Sequence, residues 1–317
     1  SYTLGYKKSL KPLFLCGIFL GLGAASKWIG LYAAAGLAFL FLLAKISEYR
    51  EYNKVSSNRK IKKPVWFKDF IPVYIWKTLG MCVLFFIVIP LIIYVLSYIP
   101  YIMAEAHNGR SMWDVVWSNQ GYMLGYHKGV TQPHPFSSTW WQWPFITRPM
   151  WYYNNTDLAP GMASTISAMG NPAIWWTGIA TFFIGIVIAT YKKHKYMVVV
   201  YTAAACQYFV WIAITRTVFI YHFYSTVPFL IFTIVYVMKS LVDLYNDPLR
   251  TVKIPMFFLK KKFIELEISR KRIMIGLCIF YLVVVVALFA FFYPAISGFE
   301  VSKKWVDMLK WFQGWSF

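Results

Sequence analysis

Residues 11–46 read KPLFLCGIFLGLGAASKWIGLYAAAGLAFLFLLAKI, and between Lys11 and Lys45 the only charged residue is Lys27. Two apolar stretches, 11–25 and 28–46, flank the Ser26-Lys27-Trp28 break. Crossing the hydrocarbon of a bilayer takes about 20 apolar residues. One uninterrupted helix would carry the ammonium of Lys27 at membrane depth, where a charge is expensive. The stretch therefore reads as two helices joined by a tight turn, with Lys27 at a membrane face.

Working outward, the same pattern recurs at 76–98, 172–190, 196–214, 218–238 and 273–294, for about seven spans in all. Composition agrees. The 317 residues are 59% hydrophobic and 21% aromatic, and only 14% are charged, where a soluble domain carries about a quarter. The expected fold is an all-α polytopic membrane protein. Its organisation is three spans and a basic loop over 1–98, an aromatic loop over 99–171, and a four-span remainder over 172–317. The chain begins on Ser and a basic patch, with no signal peptide in view, and reads as the C-terminal portion of something longer.

Charge orients the spans. The segments 1–11, 45–77, 191–195 and 239–272 hold 24 of the 32 Lys and Arg. Positive residues collect on the cytoplasmic side, so 99–171 and the C-terminal tail face outward. Most of the net charge of +20 then belongs to topology signals that also touch anionic headgroups, and nucleic acid is excluded as a partner. The four cysteines, Cys16, Cys82, Cys206 and Cys278, fall inside spans without CxxC or metal-ligand spacing, so no metal is expected. No Gly-rich phosphate cradle follows a strand.

Chemistry is left to outward polar groups near the membrane edge. Lys27 is either a ligand for a lipid-linked phosphate or a lysine snorkelling to the headgroups. Arg216 and His222, beside Tyr221, Tyr224 and Pro228, form either a phosphate clamp or an interfacial arginine beside an aromatic belt. Within the loop, Ser111–Tyr153 carries six tryptophans together with His127 and His134. A lone loop histidine is more often solvated than catalytic. Trp140, Trp141, Gln142 and Trp143 fit a short interfacial helix. They fit equally a sugar platform in which rings stack while Gln142 or Arg148 bonds hydroxyls. The loop's acids, Glu105, Asp114 and Asp157, stand alone, and none is a compelling base for transfer to a hydroxyl. The catalytic residue is left unassigned.

Several of these segments carry a resemblance. GLGAASKWIGLY at 21–32 resembles the mid-protein signature of the protein O-mannosyltransferases, polytopic enzymes of GT-C architecture. HPFSSTWWQWP at 134–144 and RPMWYY at 148–153 resemble the external loop of bacterial members. YHFY at 221–224 with Pro228, and LKWFQGWSF at 309–317, are similar to a late span and the C-terminus of the family.

The resemblance implies inverting transfer of mannose from polyprenyl-phosphate-mannose to Ser or Thr hydroxyls of exported polypeptides. It implies no nucleotide donor, and an acidic catalytic pair in a first external loop before this chain's start. Lys27, Arg216 and His222 become donor-phosphate ligands. His127, His134, Trp140, Trp141, Arg148 and Tyr221 become sugar, acceptor or loop-ordering residues. The loop is too short for the β-trefoil MIR domain of eukaryotic members, which points to a multi-pass protein of a bacterial plasma membrane. Partners would be the lipid-linked donor, the polypeptide acceptor, membrane lipids and, in addition, translocation machinery or a further subunit.

Two other classes fit the same composition. One is a GT-C transferase acting on lipid or glycan. The other is a transporter or scaffold, which would place ionisable groups near the midplane; these spans hold almost none. In the tail, Trp305, Leu309, Phe312 and Trp315 recur at helical spacing. They fit an amphipathic helix on the bilayer or one packed on the protein's own outer loop.

Overall fold

The computed structural model describes residues 5–58, 60, 62–104, 109–130, 132–245, 250–255 and 263–317, the strands 250–255 and 263–268 by their backbone. Glu105 lies outside the described residues. Seven helical segments are long and apolar enough to span a membrane: Tyr6–Ser26, Trp28–Ser57, Trp66–Met103, Pro172–Tyr191, Lys195–Ala213, Val227–Leu244 and Arg270–Ser297. The chain is thus a multi-pass membrane protein. It divides into two compact units, Ser1–Thr131 with Ala205–Val210, and Gln132–Ala204 with Trp211–Phe317.

In the first unit, α1 (Tyr6–Ser26) turns through Lys27 and a 3-10 segment, Trp28–Leu31, into α2 (Tyr32–Ser57). The small residues Gly17, Gly21 and Ala24 lie on one face of α1, and all three are buried. They face α3, the helical segment Trp66–Met103. A Cβ on Gly17 would collide with the Phe85 carbonyl, and one on Gly21 would come within 2.9 Å of Pro90 Cα. Close backbone approach through small residues substitutes for the hydrophobic effect that lipid removes. α3 widens into π turns over Phe70–Lys77, which holds Pro72, and over Leu84–Val88. A proline withholds its N–H from the helical ladder, and wider turns are one way a helix absorbs the loss.

An 18-residue helix, α4 (Met112–Gly129), follows. Ser111 caps it: Ser111 Oγ accepts from the Asp114 amide at 3.2 Å and donates to Asp114 Oδ2 at 2.6 Å. That places Asp114 in the first turn, where its carboxylate supports the start of the helix.

In the second unit, α5 (Pro172–Tyr191) packs on α7 (Val227–Leu244), α6 being Lys195–Ala213. A Cβ at Gly178 would lie 2.9 Å from Leu230 Cβ, and the buried Thr181 and Thr233 hydroxyls share a hydrogen bond at 3.2 Å. α7 begins at Val227, nine residues later than the expected sixth span. Ile220–Ser225 instead forms a 3-10 turn, and Pro228 sits in the first turn of α7. Apolar content at 218–225 looks the same in a span and in a packed connector, which accounts for the displaced boundary.

The all-α expectation holds for the spans, and short antiparallel strands are added to it. β1 (Met150–Asn154) pairs with β3 (Thr165–Ala168) across a bulge at Trp151/Tyr153. β2 (Met162–Ala163) pairs with β6 (Val301–Ser302), and β4 (Arg250–Pro255) with β5 (Phe263–Ile268). α8 (Arg270–Ser297) leads through Gly298, in the left-handed region, into β6 and α9 (Lys303–Leu309). The tail is sewn to the loop. Ser164 Oγ donates to the Gly298 carbonyl at 2.7 Å, Ser167 Oγ donates to the Ser316 carbonyl at 3.2 Å, and Trp315 Nε1 donates to the Ile146 carbonyl. Val306, Leu309 and Trp315 are buried, so one face of the tail packs on the protein's own loop, while Met308, Trp311 and Phe312 stay exposed.

Candidate functional site

The first unit holds Lys27 and His127. Lys27 follows the last turn of α1 in extended conformation, and its amide donates to the Gly23 carbonyl at 3.0 Å. Its side chain is exposed. The turn is as tight as Lys27 requires: a Cβ on Gly30 would fall 2.6 Å from the Gly23 carbonyl carbon. Beside it, Trp28 Nε1 donates to Tyr94 Oη at 3.0 Å, and Tyr94 Oη donates to Gln120 Oε1 at 2.9 Å. Gln120 Nε2 in turn donates to Tyr98 Oη at 2.9 Å. His127 packs near Trp28, with ring centroids 6.3 Å apart.

This network ties α4 to the Lys27 turn. Sequence reasoning missed Trp28, Tyr94, Tyr98 and Gln120 as members of the site. The available signals were Tyr94 and Tyr98 four apart near the end of a span, and the polar run Ser118-Asn119-Gln120 between Trp117 and Tyr122.

The second unit gathers the remaining candidates. His222, 4% exposed, lies among Trp211 at 4.1 Å, Tyr221 at 4.4 Å and Trp143 at 5.9 Å between ring centroids. Trp143 is fully buried, and its Nε1 donates to the Ser138 carbonyl at 3.0 Å. Ser138 N donates to the Val218 carbonyl at 3.0 Å, which fastens the loop to the 218–225 connector. The buried hydroxyls Ser138 Oγ and Thr226 Oγ1 have no hydrogen-bond partner among the described residues. Each such group costs about 1–3 kcal/mol until it finds one.

His134 accepts the Phe136 amide on Nδ1 at 3.2 Å. A neutral imidazole must then carry its proton on Nε2. Its ring meets Phe219 edge-on at 5.0 Å. Arg148 Nη1 donates to the carbonyls of Pro135 and Ser137 at 3.1 and 3.4 Å, so its guanidinium closes the 135–148 loop. Gln142 Oε1 takes the Thr139 amide and hydroxyl, at 2.9 and 3.0 Å, as part of the cap on the 3-10 turn Trp140–Phe145. Trp140 is half-buried, whereas Trp141 and Phe145 are 54% and 55% exposed, so these two rings of the turn are open to a ligand.

Arg216 makes its described hydrogen bond to the Thr217 carbonyl at 3.4 Å, not to His222. Both lie in the connector ahead of α7. Burial pushes the Tyr152 phenol up, with Tyr221 adding to the shift. Burial also raises the Tyr224 phenol, with Tyr152 second. Tyr152, Tyr221 and Tyr224 thus form one cluster of neutral phenols between β1 and the connector.

The chemistry available is that of neutral O–H and N–H donors, aromatic faces and a few cations. Such a set suits recognition of hydroxyl-rich rings and of phosphate. Asp157, exposed in a turn where its amide donates to Asn155 Oδ1, is not paired with a second carboxylate.

Residues 112–315 match the family model described as the C-terminal four TMM region of protein-O-mannosyltransferase, and this stretch encloses the last four candidate spans. The polyprenol-phosphate-mannose–protein mannosyltransferases of Corynebacterium glutamicum and Mycobacterium tuberculosis are 25% and 24% identical to the chain over 95% of its length. The chain spans 57% of each of those relatives. The yeast protein O-mannosyltransferase Pmt1-Pmt2 complex bound to the sugar donor matches in fold with a TM-score of 0.50 at 18% identity, over 66% of this chain and 27% of that one. The connector that seats His222 and most of the loop and tail lie within the matched residues, and on that footing the chain belongs to the protein O-mannosyltransferase family, through its C-terminal four-span region.

Proposed function

We propose that the intact protein transfers mannose from a polyprenyl-phosphate-mannose donor to Ser or Thr hydroxyls of exported polypeptides, with inversion, at the outer membrane face. The observation that carries the reading is the family match over 112–315, which contains the loop–connector assembly around His222. The relatives' names supply the donor and acceptor classes, and the charge bias of the loops supports the outward placement.

In this reaction the acceptor oxygen attacks the anomeric carbon, the carbon–oxygen bond to phosphate breaks, and the acceptor proton passes to a base. Charge grows on the departing polyprenyl phosphate. Cations held near it act most strongly in the transition state. The charge bias of the loops supports reading the Lys27 turn and Arg216 as facing the same side as the aromatic loop, and each is a candidate ligand for the donor phosphate. His222, held by rings on three sides, has too little freedom for a diffusing proton carrier and serves as a fixed hydrogen-bonding group. Arg148 and His134 order the loop. Trp141 offers an open ring face to sugar or acceptor. No base is assigned within this stretch.

The test uses the full-length protein in nanodiscs, labelled polyprenyl-phosphate-mannose and a Ser/Thr-rich peptide. Label is expected on the peptide. Lys27→Ala and Arg216→Ala should each lower transfer about ten- to a hundredfold, the range of a charge-assisted contact, and weaken donor binding. Unchanged transfer and donor affinity in both variants would overturn the phosphate assignment. Label arriving on lipid instead of peptide would overturn the acceptor class.

A further inference from the structure

A second polar site lies at the other end of α5, a 20-residue helix and so about 30 Å from the loop. There α5 turns into α6 through Lys192, Lys193, His194 and Lys195, all exposed. The turn is closed by two bonds, His194 N to the Ala189 carbonyl at 2.8 Å and Lys193 N to the Thr190 carbonyl at 3.2 Å. Lys193 occupies the left-handed position, φ 51°, which glycine usually fills. The sequence therefore keeps a cation where conformation alone favours none.

Beside this turn is a cleft of about 340 Å³ whose lining combines Lys193, His194 and Lys195 with the apolar Ile186 and Val198 and with Tyr201; no carboxylate lines it. Tyr201 Oη is buried and has no hydrogen-bond partner among the described residues. A Cβ on Gly185 would collide with it, so α5 leaves room at that position for the phenol. His194 rests against Tyr236 of α7, with centroids 5.1 Å apart, and Tyr236 Oη is likewise buried without a partner.

We propose that this cleft binds the phosphate headgroup of an anionic phospholipid, independently of the mannosyl-transfer site. The two lysine ammoniums neutralise the phosphodiester, and the Tyr201 hydroxyl donates to a headgroup or ester oxygen. The apolar wall formed by Ile186 and Val198 takes the first methylenes of an acyl chain. That wall selects a lipid over a free phosphate ion, which would leave it bare. Basic pockets between spans are suited to such headgroups.

The test is lipid retention by the full-length protein, purified from nanodiscs containing equal phosphatidylglycerol and phosphatidylcholine and read by mass spectrometry. Wild type should retain phosphatidylglycerol about tenfold over phosphatidylcholine, as expected for two charge-assisted contacts. Lys193→Gln with Lys195→Gln should bring that ratio close to one, whereas Lys193→Arg with Lys195→Arg should keep it. Tyr201→Phe, which preserves packing, should lower it about threefold to fivefold, the loss of one hydrogen bond. Inorganic phosphate at 10-fold excess over lipid should not displace the bound lipid. Equal retention of both lipids by wild type, undiminished retention in the glutamine pair, or full displacement by inorganic phosphate would each overturn the proposal. Because mannosyl transfer is not the readout, failure here is distinguishable from failure of the proposed activity.

Discussion

The imidazole of His222 sits 4.1 Å, centroid to centroid, from the indole of Trp211, with the planes tilted by 33°. This contact holds a polar ring at 4% exposure beneath the aromatic loop. His222→Phe preserves the volume and the ring contacts but removes both nitrogens. Mannosyl transfer by the full-length protein should fall at least about tenfold, the loss expected of one transition-state contact. The thermal midpoint should stay within about 4 °C of wild type. A drop in midpoint with unchanged specific activity would mean that the ring only packs.

The turn at Lys27 depends on the absence of a side chain at Gly30, where a Cβ would lie 2.7 Å from the Gly23 carbonyl oxygen. Gly30→Ala must push α1 and α2 apart at the Lys27 turn. Donor affinity should weaken about tenfold, with little change in peptide affinity, since the lysine is displaced and not removed. Wild-type donor binding in that variant would separate the turn from the phosphate.

Trp315 is buried, and its N–H is bonded to the Ile146 carbonyl. Ile146 itself adopts φ 55°, a conformation that a β-branched residue holds only when its surroundings enforce it. Trp315→Ala removes one of those constraints along with a large buried ring, a loss of about 3–5 kcal/mol. Limited proteolysis should then cut within 132–168 under conditions that leave wild type intact. Equal resistance of the two proteins would count against the tail as a clamp.

The phenols of Tyr152 and Tyr224 are raised by burial, and each lies beside another phenol. A group whose folded value exceeds its unfolded value of about 10 contributes stability in full below pH 10 and loses it as the pH climbs through the folded value. Thermal stability should therefore hold to about pH 10 and decline above it. The double variant Tyr152→Phe, Tyr224→Phe should decline less steeply. Superimposable alkaline melting profiles would show that these phenols contribute nothing there.

What the sequence discloses and what it withholds divide along physical lines. The seven spans were legible because a helix in lipid must satisfy its backbone internally and stay apolar for about 20 residues. The turn at Lys27 was legible because a charge cannot lie mid-span. The start of α7 was not, because Ile220, His222 and Phe223 are buried in a 3-10 turn and have the composition of a membrane helix. His222 was singled out, but its neighbour Trp211 stands at the end of the preceding span, and no local pattern connects them. Arg148 was offered as a sugar-bonding or loop-ordering group, and its bonds to the Pro135 and Ser137 carbonyls favour loop ordering. The strands β2 and β6 are two residues each and pair across some 140 positions, beyond the reach of any periodicity.

The seam between tail and loop also sets an order of events. Ile146, Ser164 and Ser167 are met by Trp315, Gly298 and Ser316. These partners follow the last of the seven candidate spans in the chain. The loop segment 132–168 therefore lacks these contacts until residues 298–316 have been made. Packing of the loop over 132–168 is thus completed by residues 298–316, the segment that follows every candidate span.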